Sequence, residues 1–390
     1  MTSNEMISLH DAHVMKTYGR YPVAIQSGKG ATLVSPEGKE YIDFASGIGV
    51  LSIGTAHPKF VEAVSNQAAT LAHTSNLFYT EPSTRLAQRL CALSGMDKVF
   101  FSNSGAESNE GAIKLARKYS TDRYGTERTK IVTLQNSFHG RTVTTLAATG
   151  QDVFHQYFYP FTEGFVHAIA NDFDSVKNAV DENTCAIMME LVQGEGGVLP
   201  LDVSFVKQVE ALCREKDLLL VIDEVQTGIG RCGTFFAFQH YGISPDVVST
   251  AKGIGGGLPL GAVLAAKTCS EVLSPGTHAT TFGANPICTA AANAVLDVLE
   301  DGVLSKVNEK GAYLRSKIEE MGFSTRGLGL MIGIAVEEGT HKAKVASLIE
   351  AGLLCITAGK DAVRLLPPLN ITYEEMDRGL AILKSVLCGG

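Results

Sequence analysis

The 390-residue sequence lacks several features that would assign it to a class of protein at once. No apolar run is long enough to cross a bilayer, and the first 21 residues lack the apolar core of a secretory signal. The 33 basic and 41 acidic residues leave a formal net charge of -8 and form no long run of one sign, which argues against binding to nucleic acid or an anionic membrane. These absences predict a cytoplasmic protein whose partners are small molecules.

Clustered metal ligands are also missing. The eight cysteines include no C-x-x-C pair, so we expect neither a zinc cluster nor a redox pair, and no disulfide framework. Histidines such as His10, His13 and His139 have no cluster of carboxylates or thiols beside them, so no metal site is predicted. With 45% hydrophobic residues, a chain of this length can bury a large core and is expected to hold two domains.

The middle of the chain alternates short apolar runs with amphipathic stretches, a pattern typical of a parallel sheet covered by helices. The runs predicted as strands are Lys98–Phe101, Lys130–Leu134, Cys185–Met189, Leu218–Ile222, Asp246–Ser249 and Ala262–Ala266. Between two of them, apolar residues recur at helical spacing after Ser204, which is the predicted N-cap. The sequence therefore predicts an α/β core.

Two further patterns lie outside this core. The alanine-rich stretch Thr289–Leu299 predicts a long helix, and the segments after it predict a smaller α+β domain. Near the start of the chain, Ser35-Pro36-Glu37-Gly38 predicts a hairpin turn between extended runs. A lone hairpin is marginally stable, so it is expected to pack on another domain.

Polar motifs follow several of the predicted strands, where open α/β sheets bind their ligands. Ser104 and Glu107 have the spacing of a capping box, and the free amides of Gly105 and Ala106 at such a helix N-terminus would suit a phosphate. A capped helix without a ligand has the same spacing, so this motif alone does not decide between the two.

A carboxylate and a lysine also stand at strand ends. Asp223 could face a buried positive nitrogen, and Gln226 could donate to an oxyanion, although a capping role at a strand end is the alternative. Lys252 lies after a strand and before a glycine-rich loop. A surface lysine is the usual case, but a lysine with a lowered pKa can form a Schiff base, and glycines would let a planar cofactor approach.

Two more motifs carry weaker signals. Phe138 could stack on a flat heteroaromatic ring, and Arg141 could hold a carboxylate through its guanidinium. The segment Gly228–Gly233 matches G-x-G-x-x-G, the dinucleotide fingerprint. We reject that interpretation because the first glycine does not follow the strand immediately, and because the aromatic pair Phe235-Phe236 follows the motif.

A phosphate site, an acid at a strand end and a later lysine are the parts that a pyridoxal phosphate enzyme requires. The sequence resembles the class III aminotransferases from Tyr18 to about Pro368. The motifs that carry the resemblance are Ser102–Glu107, Phe138–Arg141, Gln193–Gly197, Ile222–Gln226, Lys252-Gly253 and Thr281–Pro286. Two other segments, Met15–Val23 and Thr74–Tyr79, are most similar to the acetylornithine aminotransferase subfamily.

The resemblance implies an α/β architecture of the fold type I class. Residues 49–284 would form a large cofactor-binding domain with a mostly parallel, seven-stranded sheet, and residues 285–390 a smaller α+β domain. Residues 1–48 would pack with the small domain. Members of the family are dimers with shared active sites, so a homodimer is expected.

The resemblance also implies a cofactor, pyridoxal 5'-phosphate, and the residues that would bind it. Lys252 would carry the cofactor covalently and Asp223 would keep its pyridine nitrogen protonated, which makes these two the catalytic residues. The residues implied around the rest of the cofactor are Gln226 at its phenolic oxygen, Phe138 on its ring, and Ser104, Gly105, Ala106 and a neighbouring subunit's Thr281 at its phosphate. Many relatives have threonine in place of Ala106, so here the phosphate would depend more on backbone amides.

On the substrate side, the resemblance implies that Arg141 binds the α-carboxylate of N-acetylornithine. Tyr18 and, from the partner subunit, Thr280 would line the same pocket. Glutamate has a second carboxylate, which Arg364 would bind, and Glu195 would pair with Arg364 until the dicarboxylate arrives. The implied reaction is a ping-pong transamination between N2-acetyl-L-ornithine and 2-oxoglutarate in arginine biosynthesis.

Other substrates stay open at this point. Ornithine aminotransferases carry a tyrosine where this chain has Ile48, and the loss of that polar contact favours an acylated substrate. 4-Aminobutyrate and succinyldiaminopimelate aminotransferases remain alternatives. An NAD-dependent dehydrogenase, from a different class, would depend on the Gly228–Gly233 match alone.

Overall fold

A computed structural model describes residues 1–389 of the chain, and its centre is one seven-stranded sheet. The strands, in spatial order, are Lys98–Ser102, Gly261–Ala265, Val247–Thr250, Leu219–Asp223, Thr184–Met189, Lys130–Leu134 and Phe165–Ala168. Gly261–Ala265 is antiparallel to both of its neighbours, and the other pairs are parallel. The predicted α/β class with a mostly parallel sheet is confirmed.

Six of these strands were predicted from apolar runs, and each lies within about one residue of its predicted position. The seventh, Phe165–Ala168, is at the edge of the sheet and was missed. Its Val166 is exposed and its Phe165 and His167 are only half-buried. A continuous apolar run indicates a strand covered on both faces, and an edge strand exposed in this way has none.

Side chains that alternate along the strands enter two separate cores. Ile131, Val221 and Val263 lie in the smaller core with helix Gly105–Tyr124, while Val132 and Ile222 lie in the larger one. The helices of this part of the chain are Pro58–Thr70, Glu81–Ser94, Gly105–Tyr124, Val143–Ala148, Phe173–Ala179, Val203–Lys216 and Ala237–Tyr241. The sheet is therefore covered on both faces, which matches its nearly continuous apolar strands.

Two helix starts differ from the predicted ones. The helix predicted after Ser204 begins at Val203, and its N-cap is Asp202, so the assignment of Ser204 as the cap is wrong. Asp202, itself a residue type favoured at N-caps, is the last residue with extended backbone angles, and Ser204 lies in the first helical turn. The alanine-rich helix spans Pro286–Val298, where the Asn285 side chain accepts hydrogen bonds from two first-turn amides.

The predicted N-terminal hairpin is confirmed. Strands Thr32–Val34 and Glu40–Asp43 pair in antiparallel, and the Gly38 amide donates to the Ser35 carbonyl at 3.0 Å. Glu40–Asp43 also pairs in parallel with Leu353–Leu354 from the C-terminal part of the chain. The remaining N-terminal elements are helix Ser3–His13, strand Ser27–Lys29 and the short helical turn Ser46–Gly49.

The C-terminal part combines helices with a small antiparallel sheet. Its helices, besides Pro286–Val298, are Val307–Glu320, His341–Glu350 and Tyr373–Leu387. Its sheet has the order Thr325–Leu328, Met331–Ala335, Ala362–Leu365 and Ile356–Ala358. The domain limits at residues 48 and 284 stay predictions.

Across residues 1–389, no helix is long and apolar enough to cross a membrane. The same residues contain no group of three or more histidine, cysteine, aspartate or glutamate side chains placed to hold a metal ion. All eight cysteines are free thiols, and six of them are buried.

Candidate active site

A cavity of about 250 Å³ opens at the carboxyl edge of the sheet. Strands ending at Ser102, Asp223 and Thr250 lead directly into the segments around it. The residues that line it are Gly105, Ala106, Asn109, Phe138, His139, Gly140, Arg141, Glu190, Asp223, Val225, Gln226 and Lys252. Seven of these were predicted as site residues, because the carboxyl ends of parallel strands meet at one edge.

Asp223 lies at the base of the cavity and is only 3% exposed. Its Oδ2 accepts a hydrogen bond from Asn109 Nδ2 at 2.7 Å and lies 2.8 Å from His139 Nδ1, and its Oδ1 accepts from the Val225 amide at 2.9 Å. His139 is also buried, and its Nε2 has no hydrogen-bond partner. These contacts set the orientation of a buried carboxylate beside the cavity.

The helix N-terminus at Gly105 lies beside the same cavity. Ser104 is the N-cap, and its Oγ accepts from the Glu107 amide at 3.2 Å. The second half of the predicted capping box is wrong, because the Glu107 carboxylate accepts from the Asn103 amide, at 2.6 Å, and not from that of Ser104. The first amides of a helix have no partner within it, so those of Gly105 and Ala106 are available to an anion.

Lys252 begins a short 3₁₀ turn, Lys252–Gly255, directly behind the strand that ends at Thr250. Its φ is +47°, a left-handed backbone angle that costs a lysine about 1 kcal/mol or more. Burial lowers the pKa of its amine, and the charge of Arg364 acts in the same direction, while the carboxylates of Glu195 and Asp223 oppose it. The amine is therefore held in a position where its neutral form is favoured relative to a lysine in water.

Glu190 is a site residue that the sequence analysis missed. It follows the buried strand Thr184–Met189, and its Oε1 accepts from the Phe138 amide at 2.8 Å while its Oε2 accepts from the Gly194 amide at 3.3 Å. Burial raises its pKa, and the nearby charge of Asp223 raises it further. The signal that revealed Asp223, a carboxylate at the end of a buried strand, would also have found it.

A second arginine reaches the site from the small antiparallel sheet. Arg364 is 2% exposed, and its Nη1 donates to Glu195 Oε1 at 2.7 Å and to Gln226 Oε1 at 2.9 Å. Its Nε is buried without a partner. Burial by itself would raise the pKa of Glu195, but the charge and hydrogen bond of Arg364 lower it. The pair brings together two residues that are 169 positions apart in the sequence.

The guanidinium of Arg141 differs from that of Arg364 in its exposure and in its neighbours. It lines the cavity and is exposed, and its guanidinium lies against aromatic rings. The site thus has one open cation and one that a carboxylate neutralises.

Six predicted residues do not line the cavity of the single chain. Ser104, Glu195 and Arg364 lie next to residues that do, as described above, and the other three are Tyr18, Thr280 and Thr281. Tyr18 is 74% exposed and packs against Arg20, and Thr281 is also exposed. The Thr280 hydroxyl accepts from Asn103 Nδ2 at 3.1 Å, which places it next to the helix N-terminus.

The glycine motif Gly228–Gly233 forms turns and opens no helix; the next helix is Ala237–Tyr241. Within the motif, Arg231 is buried and donates to the carbonyls of Leu330 and Pro367. The motif therefore differs from a dinucleotide-binding turn, in which the first glycine follows a strand directly and a helix begins within the motif.

Comparison with known proteins agrees with this geometry. The chain belongs to the class III aminotransferase family, whose model matches residues 14–387. It is 51% identical over 391 residues to the acetylornithine aminotransferase of Haemophilus ducreyi, with 99% of each chain covered. It is 43% identical to the succinylornithine transaminase of Citrobacter koseri, covering 95% of this chain and 94% of that one. The crystal structure of the Toxoplasma gondii ornithine aminotransferase superimposes with a TM-score of 0.95 at 31% identity, covering 100% of this chain and 96% of that chain.

Proposed function

We propose that the chain is a pyridoxal phosphate enzyme that transfers the side-chain amino group of N2-acetyl-L-ornithine to 2-oxoglutarate. The products would be N-acetyl-L-glutamate 5-semialdehyde and L-glutamate, as in arginine biosynthesis. The observation that carries the proposal is one cavity lined by Lys252 and by the open cation of Arg141, with the neutralised cation of Arg364 hydrogen-bonded to Gln226 of that lining. Such a set suits two substrates that differ by one carboxylate.

The residues around the cavity fit the cofactor. The amides of Gly105 and Ala106, with the Ser104 hydroxyl, offer donors to a phosphate at a helix N-terminus. A carboxylate has about four lone-pair sites, so Asp223 can still accept a bond from a ring nitrogen besides its present three contacts. Phe138 lines the cavity wall, where its ring could stack on the cofactor.

Pyridoxal phosphate, when bound, supplies an electron sink that stabilises negative charge on the carbon bearing the amino group. The chain's own residues would supply the remaining chemistry. Lys252 Nζ would accept the proton lost from that carbon and return it, a role that its lowered pKa favours. Asp223 would hold a proton on the ring nitrogen, and Asn109 and His139 would keep its carboxylate oriented.

The two arginines would divide the recognition of substrates. Arg141 would bind the α-carboxylate of N-acetylornithine, with Tyr18 and a partner subunit's Thr280 at the pocket wall. Once Glu195 releases Arg364, the arginine would bind the second carboxylate of 2-oxoglutarate or glutamate. While Glu195 stays paired, Arg364 presents no free positive charge to a donor that has only one carboxylate.

An acylated donor is supported by Ile48. It lies in a left-handed turn, with φ of +66°, and is about half exposed. The same segment packs on the Lys252 loop, where Ser52 Oγ donates to the Gly253 carbonyl at 2.7 Å. An apolar side chain on a segment that packs on this loop offers no hydrogen-bond partner to the charged α-amine of free ornithine. The succinylated analogue is the second candidate, because the succinylornithine transaminase of Citrobacter koseri is among the relatives.

A homodimer is part of the proposal. Leu77, Phe78 and Tyr79 form an exposed apolar segment, and Phe282 is exposed on a second segment. The two segments adjoin, since Asn76 Nδ2 donates to the Gly283 carbonyl at 2.8 Å. An exposed apolar surface of this kind is typical of a protein–protein interface, which supports the proposed dimer. A second copy packed there would also cover the loop that carries Thr280 and Thr281.

One titration tests the substrate. The visible absorption of the enzyme-bound cofactor is followed while N-acetylornithine, ornithine, 4-aminobutyrate or succinyldiaminopimelate is added separately. We expect N-acetylornithine to bleach the band most efficiently and 2-oxoglutarate to restore it. A far greater effect of 4-aminobutyrate would overturn the substrate while leaving the family unchanged.

The covalent role of Lys252 has its own test. Borohydride reduction followed by digestion should place the cofactor label on the peptide that contains Lys252. Lys252→Ala should bind the cofactor without a covalent bond and lose turnover. Label on a different lysine, or normal turnover of the variant, would contradict the mechanism.

A further inference from the structure

A second aromatic ring lies against Arg141. The guanidinium carbon is 4.1 Å from the centroid of the Phe154 ring and 5.6 Å from that of Phe138. The two rings meet edge to face, with centroids 5.9 Å apart and an interplanar angle of 72°. Within residues 1–389 no ion pair involves Arg141, so aromatic surface is what holds its guanidinium.

Phe154 is itself held in place. It ends a 3₁₀ turn, Asp152–Phe154, in the segment that follows helix Val143–Ala148. Just before the turn, Gln151 Nε2 donates to the Ser137 carbonyl at 3.0 Å and the Gly150 amide donates to Ser137 Oγ at 3.0 Å. The segment that leads to Phe154 is thus anchored to the same backbone turn that precedes Phe138.

A guanidinium on an aromatic ring is attracted by the negative face of the ring, while its N–H groups stay available. Those N–H groups match a carboxylate in the two-pronged manner. An exposed arginine would otherwise lose rotamer freedom when a ligand binds. A ring that holds the guanidinium beforehand removes part of that cost.

We infer that Phe154 is a positioning residue: it holds the Arg141 guanidinium so that its N–H edge receives the α-carboxylate of the amino donor. The inference depends on the proposed function, which assigns that carboxylate to Arg141. It extends the substrate site to residues 150–154, a segment to which the sequence motifs assign no role. The amino donors that this arrangement would recognise are amino acids whose carboxylate is remote from the reacting amine.

The test compares two donors that share the acetamide and the primary amine. N-acetylornithine has the α-carboxylate, and N-acetylputrescine lacks it. In Phe154→Leu we expect kcat/KM for N-acetylornithine to fall about tenfold, mainly through KM, the order of effect of one cation–π contact. The value for N-acetylputrescine should stay unchanged, and Phe154→Tyr should keep the wild-type preference.

Phe158→Leu is the matched control, because it removes an exposed phenylalanine ring a few residues beyond that segment. Binding without turnover gives a second readout: N-acetylnorvaline has the carboxylate and acetamide but no reacting amine. Calorimetry on the cofactor-bound enzyme should show its Kd raised about tenfold by Phe154→Leu and unchanged by Phe158→Leu.

Equal losses on both donors, or an unchanged Kd for N-acetylnorvaline, would overturn the inference. Arg141→Ala separates this failure from failure of the proposed function. If Arg141→Ala keeps the preference for the carboxylate-bearing donor, the role assigned to Arg141 is wrong. If it loses the preference while Phe154→Leu keeps it, only the role of Phe154 is wrong.

Discussion

Buried hydrogen bonds fix the positions of individual carboxyl groups near the site, and the neighbours of each group set its pKa. Asp223, Glu190 and Glu224 are three buried carboxyl groups at the carboxyl edge of the sheet. Asp223 has a histidine beside it, whereas Glu224 accepts from Thr227 Oγ1 and from the Phe238 amide. Burial raises the pKa of both Glu190 and Glu224, and hydrogen bonds to their carboxylates partly oppose that rise.

Glu224 gives a prediction at this scale. Burial raises its pKa to about 7, from the 4.5 of an unperturbed glutamate. A carboxyl group with a raised pKa in the folded state contributes stability that is present in full below the unfolded pKa and is lost as pH rises through the folded pKa. Glu224→Gln stays neutral, so relative to the wild type its free energy of unfolding should rise between about pH 5 and pH 8.

Urea unfolding at several pH values measures this difference. Glu182→Gln, at an exposed position, is the control and should give a difference that does not change with pH. Parallel stability curves for wild type and Glu224→Gln would show that Glu224 is ionised in the folded protein throughout this range.

At the scale of elements, a helix can pack directly against another backbone segment only where the residue at the contact is small. Helix Val307–Glu320 passes close to the backbone of Gly329, and Gly311 is the helix residue at the point of contact. A Cβ at Gly311 would lie 2.1 Å from the Gly329 carbonyl oxygen, and backbone cannot move aside as a flexible side chain could. Only glycine fits this crossing.

Gly311→Ala should therefore destabilise the protein, although alanine is the better helix former. We expect a loss of about 1–3 kcal/mol, the usual cost of overpacking. Thermal or urea unfolding checks it, with Ser316→Ala on the exposed face of the same helix as the control. A stability equal to or above that of the wild type would mean that the helix can shift away from Gly329.

For the whole molecule, the proposed dimer predicts how assembly and cofactor binding are linked. Leu77→Asp and Phe282→Asp would each place a charge in the exposed apolar surface, 84% and 60% exposed in the single chain. We expect both variants to sediment as monomers at concentrations where the wild type is a dimer. They should also bind pyridoxal phosphate more weakly, because Thr281 of the partner subunit would be lost from the phosphate site.

Tyr157→Asp, at an exposed aromatic position on another segment, is the control and should leave the sedimentation coefficient unchanged. A monomeric wild type, or dimers of both charged variants, would contradict the proposed interface.

The strands and site residues that could be predicted from the sequence are those marked by local patterns of a few residues. Apolar runs such as Lys130–Leu134 indicate buried parallel strands, and polar residues directly after them, such as Asp223 and Lys252, therefore meet at one edge. The half-exposed edge strand Phe165–Ala168 has no such run, and the cap at Asp202 depended on which of two suitable residues took extended angles.

The sequence by itself determined the class of fold, the family and the segments that surround the cavity, because strand burial and motif order are written locally along the chain. The family resemblance implied the pairing of Arg364 with Glu195, which the residue spacing alone could not. Only the tertiary structure decided that Glu190 accepts hydrogen bonds from the amides of both Phe138 and Gly194, and that Arg141 stacks on Phe154. Contacts such as Arg364–Glu195 join residues far apart in the chain, and no spacing rule reports distances that packing alone sets.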